Sequence, residues 1–146
     1  MEIFLANVEQ LEEVSKLFDQ YRSFYQQAAD PKAAMKFIQE RFQKTDSTIF
    51  VATDNGHSIG FTQLYPSFSS VSMQRIWILN DLFVVENYRK KGVAKLLMNA
   101  AAEFARATGA VRIVLSTQIA NTPAQNLYAS LGYQKDENFY HYALSL

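Results

Sequence analysis

The sequence contains no cysteine, which excludes disulfides, thiolate metal sites and a cysteine nucleophile. Two histidines are too few for a metal cluster of the usual ligand type, so no metal is expected. With five glycines and three prolines there is no Pro/Gly/Ser-rich linker, and no repeat or low-complexity tract is found. Residues 1–146 therefore read as one domain, long enough to bury a core without staples. No apolar run reaches the roughly 18 residues that a membrane-spanning helix needs. The start, Met1-Glu2-Ile3-Phe4-Leu5, carries an acid and a short strand-like run where a secretion signal would be basic. Lys plus Arg number 14 and Asp plus Glu 14, giving zero formal charge. Without a global field, neither nucleic acid nor an anionic membrane is an expected partner. A cytoplasmic globular domain is the default expectation.

What is present is strong local patterning. Ile3 to Leu5 reads as a strand, and Asn7 with Gln10 three residues on reads as a capping box. The helix that follows places Leu11, Val14, Phe18, Tyr21 and Tyr25 on one face. Asp30-Pro31 opens a second helix, with Ala34, Phe37, Ile38 and Phe42 as its apolar face. Thr48–Thr53 and Ser58–Tyr65 are β-rich and joined by Asp54-Asn55-Gly56, a hairpin signal. Ser67–Ser72 reads as a loop and Arg75–Glu86 as a longer strand interrupted at Asn80-Asp81. A helix over 91–108 ends at Gly109, with Val93, Leu96, Leu97, Ala100, Ala101 and Phe104 inward. Val111–Thr117 has the pattern of a strand buried on both faces. Thr122-Pro123 starts a helix stopped by Gly132, and Tyr140–Leu146 reads as a last strand. The order β-α-α-β-β-β-α-β-α-β predicts a mixed sheet with helices on both faces. Residues 75–117 form a βαβ unit whose strands should be parallel neighbours.

Tyr88-Arg89-Lys90-Lys91-Gly92-Val93-Ala94-Lys95 is the most informative stretch. Four cations crowd a helix N-terminus that already carries positive dipole charge, an arrangement that calls for an anion. Free N–H groups at the helix start are phosphate donors, and Gly92 and Ala94 allow close approach. A solvated cationic turn has the same composition. Gly92 lacks the partner glycines of a Walker A loop or a dinucleotide fingerprint.

Arg89-x-x-Gly92-x-Ala94 after a strand resembles the signature of the GNAT superfamily of acyl-CoA-dependent N-acetyltransferases. Asn121-Thr122-Pro123-Ala124-Gln125-Asn126-Leu127-Tyr128 through Tyr133 is similar to its second conserved segment, and the element order agrees across nearly the whole chain. The resemblance implies a mixed α/β fold, with a mostly antiparallel sheet of six to seven strands and the parallel βαβ unit at the coenzyme site. Ile78-Leu79-Asn80-Asp81-Leu82-Phe83-Val84 is similar to the diamine acetyltransferases, but Asn80 stands where they carry glutamate.

The roles that follow are those the resemblance implies. Acetyl-CoA is the co-substrate. Arg89 and the amides of Lys90, Lys91, Gly92, Val93, Ala94 and Lys95 hold its pyrophosphate. Leu82, Phe83 and Val84 pair with the pantetheine arm beside a β-bulge, and the Leu82 N–H donates to the thioester oxygen. Asn121, Ala124 and Asn126 face the coenzyme. Tyr128 is the candidate acid for the departing thiolate; the same position also suits a packing tyrosine. Asp81 is the candidate base and a contact for a cationic acceptor, or equally a turn or bulge aspartate. Asn80 can orient a water. Tyr21, Arg22, Phe24, Tyr25, Tyr65, Phe68 and Trp77 are candidates for the acceptor wall.

Gly56-His57-Ser58-Ile59-Gly60 formally matches a serine-hydrolase elbow, but follows a hairpin turn and leads into a strand, the wrong context. With no covalent nucleophile in view, direct attack in a ternary complex is expected. The leading function is acetyl transfer to a primary amine of a small molecule, polyamine-like or amino-acid-derived. Protein lysine or N-terminal acetylation, an acyl-CoA sensor or partner subunit, and nucleotide binding are the alternatives. Dimerisation is left open.

Overall fold

The structure, a computed structural model, describes residues 1–146, which divide into two compact units, Met1–Ser116 and Thr117–Leu146. In the first unit the elements are β1 (Glu2–Leu5), α1 (Leu11–Phe24), α2 (Pro31–Lys44), β2 (Thr48–Asp54), β3 (His57–Ser69), β4 (Gln74–Val84), α3 (Val93–Ala107) and β5 (Arg112–Val114). The strands lie side by side in chain order. β1 to β4 are antiparallel, and β5 runs parallel to β4. This is a mixed α/β sheet with helices on both faces.

Local chemistry sets the boundaries. Asn7 accepts from the Glu9 N–H at 2.8 Å while the Gln10 side chain accepts from the Asn7 N–H at 2.8 Å, closing a capping box before α1. Asp30 caps α2 through the Ala33 N–H at 3.1 Å, and Pro31 occupies the first helical position. Asn55 and Gly56 both have positive φ, as the tight turn between β2 and β3 requires. α3 closes with the Ala110 N–H on the Ala105 carbonyl and the Gly109 N–H on the Arg106 carbonyl, a paired cap in which Gly109 takes φ 76°.

One face of the sheet packs Ile49, Val51, Phe61 and Phe83 against Val14 and Ile38 of α1 and α2. The other packs Ala52, Ile59 and Val84 against Val93 and Leu97 of α3. Burying each large side chain contributes about 1.5–3 kcal/mol, so α1, α2 and α3 clamp the sheet from both sides.

Some expectations need correction. The sheet has five strands, where six to seven were expected. Ser67–Ser69 continues β3, and only the residues around 70–73 turn the chain. The strand expected at Val111–Thr117 is confined to Arg112–Val114, and Val111 and Val114 are partly exposed. It is the edge of the sheet and bonds on one side only, to Ile76–Ile78.

The second unit contains α4 (Thr122–Ser130). Asn121 caps it by accepting from the Ala124 N–H at 3.2 Å, and Gln125 Nε2 braces the preceding turn through the Ile119 carbonyl at 2.7 Å. Gly132, at φ 91°, ends the helix with the Tyr133 N–H on the Tyr128 carbonyl at 3.0 Å. Tyr140–Leu146 is not a strand. A strand needs a ladder partner, this unit supplies none, and the segment's side chains are exposed.

Candidate active site

The site begins with an irregularity in β4. Gln63 pairs with Asp81 but Leu64 pairs with Leu79, so Asn80 is an extra residue, a β-bulge. On the other side of β4 the β5 ladder stops at Val114, opposite Ile78. From Leu79 onward that edge of β4 has no strand beside it. The Val85 N–H donates to the Ile59 carbonyl at 2.9 Å. By strand alternation, the N–H and C=O of Leu82 and Val84 therefore point away from β3, to the open side. Gly60 lets β3 approach here, since a Cβ on it would lie 2.8 Å from the Phe83 carbonyl oxygen.

The bulge delivers Asp81 into the α1 face. Its residue is only 3% exposed. Gln63 Nε2 donates to Oδ2 at 2.7 Å, and Asn80 Nδ2 donates to Oδ1 at 3.2 Å. The Thr62 hydroxyl holds the Asp81 backbone carbonyl at 2.8 Å. Tyr21 donates to the Asn80 carbonyl at 3.3 Å, which holds its hydroxyl close to the Asp81 carboxyl. Burial pushes the Asp81 carboxyl above the usual range, against the opposing pull of the Gln63, Tyr21 and Asn80 hydrogen bonds. Burial, and then the Asp81 charge, push the Tyr21 hydroxyl well above the phenol range and Tyr65 up to about 12. Tyr25 moves the same way for the same reasons. These hydroxyls stay protonated at neutral pH, and that of Tyr21 donates to the Asn80 carbonyl. Asp81 is the carboxyl of this nest and its candidate proton acceptor.

Of the expected acceptor wall, Tyr21 and Tyr25 pack at 5.0 Å and Phe24 on Tyr25 at 5.3 Å. Tyr65, two residues after Gln63 on β3, lies near enough for the Asp81 charge to push its hydroxyl up. Trp77 does not belong to this group. It turns to the α3 face, where its indole N–H donates to Thr108 Oγ1 at 2.9 Å and its ring packs on Phe104 at 5.0 Å. Phe68 is exposed near the β3–β4 turn beside Arg75, and Arg22 donates to the Ala28 carbonyl. Ser58, the apex of the formal elbow motif, sits on β3 and donates to Glu13.

Downstream of β4, Lys90 and Gly92 both take positive φ, 61° and 85°. This twist turns the chain into α3, whose first internal bond is from Leu96 to the Gly92 carbonyl. No side chain caps α3, so the Val93, Ala94 and Lys95 N–H groups are unpartnered donors at the positive end of the dipole. They fit a pyrophosphate. Arg89 is committed elsewhere through one nitrogen. Its Nε donates to the Val84 carbonyl at 2.9 Å, and the guanidinium lies over Phe24 and Phe83 at 5.2 and 5.6 Å. In the second unit, Tyr128 lies on α4 with its ring 6.0 Å from that of Tyr133, and the Asn121 carbonyl oxygen is spent on its cap.

Gln63 and Thr62 escaped sequence reading. The signal was a polar pair inside the otherwise apolar run Ile59 to Leu64, and only the register shows that it faces Asp81.

The model of the acetyltransferase (GNAT) family matches residues 11–133. The chain belongs to that family. Similar relatives include the uncharacterized N-acetyltransferase YhfO of Bacillus subtilis, 46% identical over all of this chain and 98% of its own length. A probable acetyltransferase of Haemophilus influenzae is 34% identical over 90% of this chain and 86% of its own. Among solved structures, a probable acetyltransferase matches with a TM-score of 0.94 and 40% identity, covering 100% of this chain and 98% of the other. The GNAT fold expected from the motifs is thus the fold of this protein, and it is an enzyme of the acetyltransferase class. No helix is long and apolar enough to cross a membrane.

Proposed function

We propose that this GNAT protein moves the acetyl group of acetyl-CoA to the primary amine of a small molecule. The observation that carries this reading is Asp81, a buried carboxyl without a cationic partner, set one residue from the open β4 edge. An ammonium supplies the missing counter-charge, and its loss of a proton to Asp81 creates the nucleophile. The Leu82 N–H and the open edge suit the thioester and the pantetheine arm, and the Val93, Ala94 and Lys95 amides suit the pyrophosphate.

In this reading the neutral amine attacks the thioester carbonyl carbon directly. A C–N bond forms, the C–S bond breaks, and the Leu82 amide stabilises charge gathering on oxygen. Tyr128 gives the departing thiolate its proton, a role taken from its place in the second family segment, and the phenolate is restored by the second proton that the attacking nitrogen sheds as it becomes the amide. Asn126 and Ala124 contact the coenzyme on the same basis. The whole chain then works as one acetyltransferase domain, and no metal takes part.

The aromatic wall of Tyr21, Phe24, Tyr25 and Tyr65 favours an acceptor with an apolar or cationic body. Asn80, where diamine acetyltransferases carry glutamate, leaves one acidic contact and weighs against a long polyamine. Free-thiol release from acetyl-CoA over a panel of small amines, amino acids and lysine peptides tests this reading. Amine-dependent release with small acceptors is the expected result. Tight acetyl-CoA binding without release for any amine would support a sensor instead.

A further inference from the structure

We propose that Gln63 is a positioning residue for acetyl transfer, its amide fixing the Asp81 carboxyl in the orientation from which it takes the acceptor's proton. This rests on the reading of Asp81 as the base. Gln63 lies opposite Asp81 in the β3–β4 ladder and is 0% exposed. Its Nε2 donates to Asp81 Oδ2 at 2.7 Å, while Asn80 Nδ2 holds Oδ1 at 3.2 Å. Gripped at both oxygens, the carboxyl cannot rotate about its own axis.

The other half of the amide shows that packing alone does not account for this residue. Gln63 Oε1 is buried and has no hydrogen-bond partner. Leucine or methionine would fill the same space between the fully buried neighbours Phe61 and Leu64 without stranding an acceptor. What the glutamine adds is its N–H to Asp81. The titratable groups facing Asp81 are Tyr21 and Tyr25 from α1 and Tyr65 from β3. No Lys, Arg or His forms an ion pair with it, α3 lies on the opposite face, and β5 ends before it. Burial raises its proton affinity, and uncharged donors alone oppose that rise and fix its orientation.

A donor to the ionised carboxylate favours that form, so removing it raises the pH at which Asp81 becomes a base. In Gln63→Met, folded as judged by circular dichroism, the acid limb of kcat/KM moves up by about one pH unit. Below the limb, kcat/KM falls about tenfold, while acetyl-CoA affinity is unchanged. An unmoved limb overturns the proposal. In the wild-type protein, the Gln63 side-chain amide proton resonance should titrate with the midpoint of the Asp81 carboxyl carbon. An amide resonance indifferent to pH overturns it even where the variant does not fold. Asp81→Asn separates the two readings. Full turnover there removes the base and with it the role of Gln63, whereas loss there with an unmoved Gln63→Met limb removes Gln63 alone.

Discussion

Arg89 donates its Nε to the Val84 carbonyl at 2.9 Å, on the edge of β4 that has no neighbouring strand. The same guanidinium covers Phe24 of α1 and Phe83 of β4, tying the loop before α3 to the last turn of α1. Lysine lacks the planar fork and stacks less well. Arg89→Lys should therefore weaken acetyl-CoA binding and raise the acceptor KM together. Calorimetry with acetyl-CoA and a two-substrate kinetic grid check this; a change in coenzyme affinity alone would limit Arg89 to the anion site.

The stability of the fold should depend on pH through Asp81. Its carboxyl is raised above the usual value of 3.8 by burial, so the folded state binds this proton more tightly than the unfolded chain. Asp81 therefore stabilises below the unfolded value, and that contribution is lost as pH rises through the higher folded value. Asp81→Asn should remove this slope and be no less stable than wild type at neutral pH. Urea titrations of both proteins across that window check the sign.

Gly60 has a packing reason to be glycine. A Cβ there would lie 2.8 Å from the Phe83 carbonyl oxygen and 3.3 Å from Val84 Cγ2, so Gly60→Ala must displace β4 at its open stretch. Overpacking of this kind costs about 1–3 kcal/mol. Denaturant titration should show that loss, and calorimetry a weaker acetyl-CoA complex.

Gly92 is needed for a different reason. Nothing crowds its Cβ position, but its φ is +85°, a region costing a branched residue about 1–2 kcal/mol. Gly92→Val should relax by turning the loop, misdirecting the Val93 to Lys95 amides. The expected result is a rise in the acetyl-CoA Kd of about tenfold or more with a small change in Tm.

Much of this was legible in the sequence because it is written in local chemistry. The capping box at Asn7 and Gln10, the Asn55-Gly56 turn and the glycine stop at Gly109 each depend on residues within a few positions. The interruption expected at Asn80-Asp81 is the bulge itself. What was not legible depends on partners distant in the chain. Gln63 becomes part of the site only through its register with Asp81. Trp77, one aromatic among many, turns to α3 because Thr108 and Phe104 wait there. The apolar alternation of Tyr140–Leu146 reads as a strand, but alternation supplies no ladder partner.

Tyr128 offers a test of the departing-group chemistry. Tyr128→Phe should lower turnover by roughly tenfold or more, the lower end of what proton donation contributes. Thiol release unaffected by the substitution would remove Tyr128 from that role and leave the transferase reading intact.

Asp81 is the centre of the proposed chemistry. The measurement that tests it most directly is amine-dependent thiol release from acetyl-CoA, compared across pH for wild type and Asp81→Asn. The predicted result is a loss of about a hundredfold in kcat/KM and disappearance of the acid limb, with acetyl-CoA binding retained. An Asp81→Asn enzyme with wild-type turnover and an unchanged pH profile would contradict it.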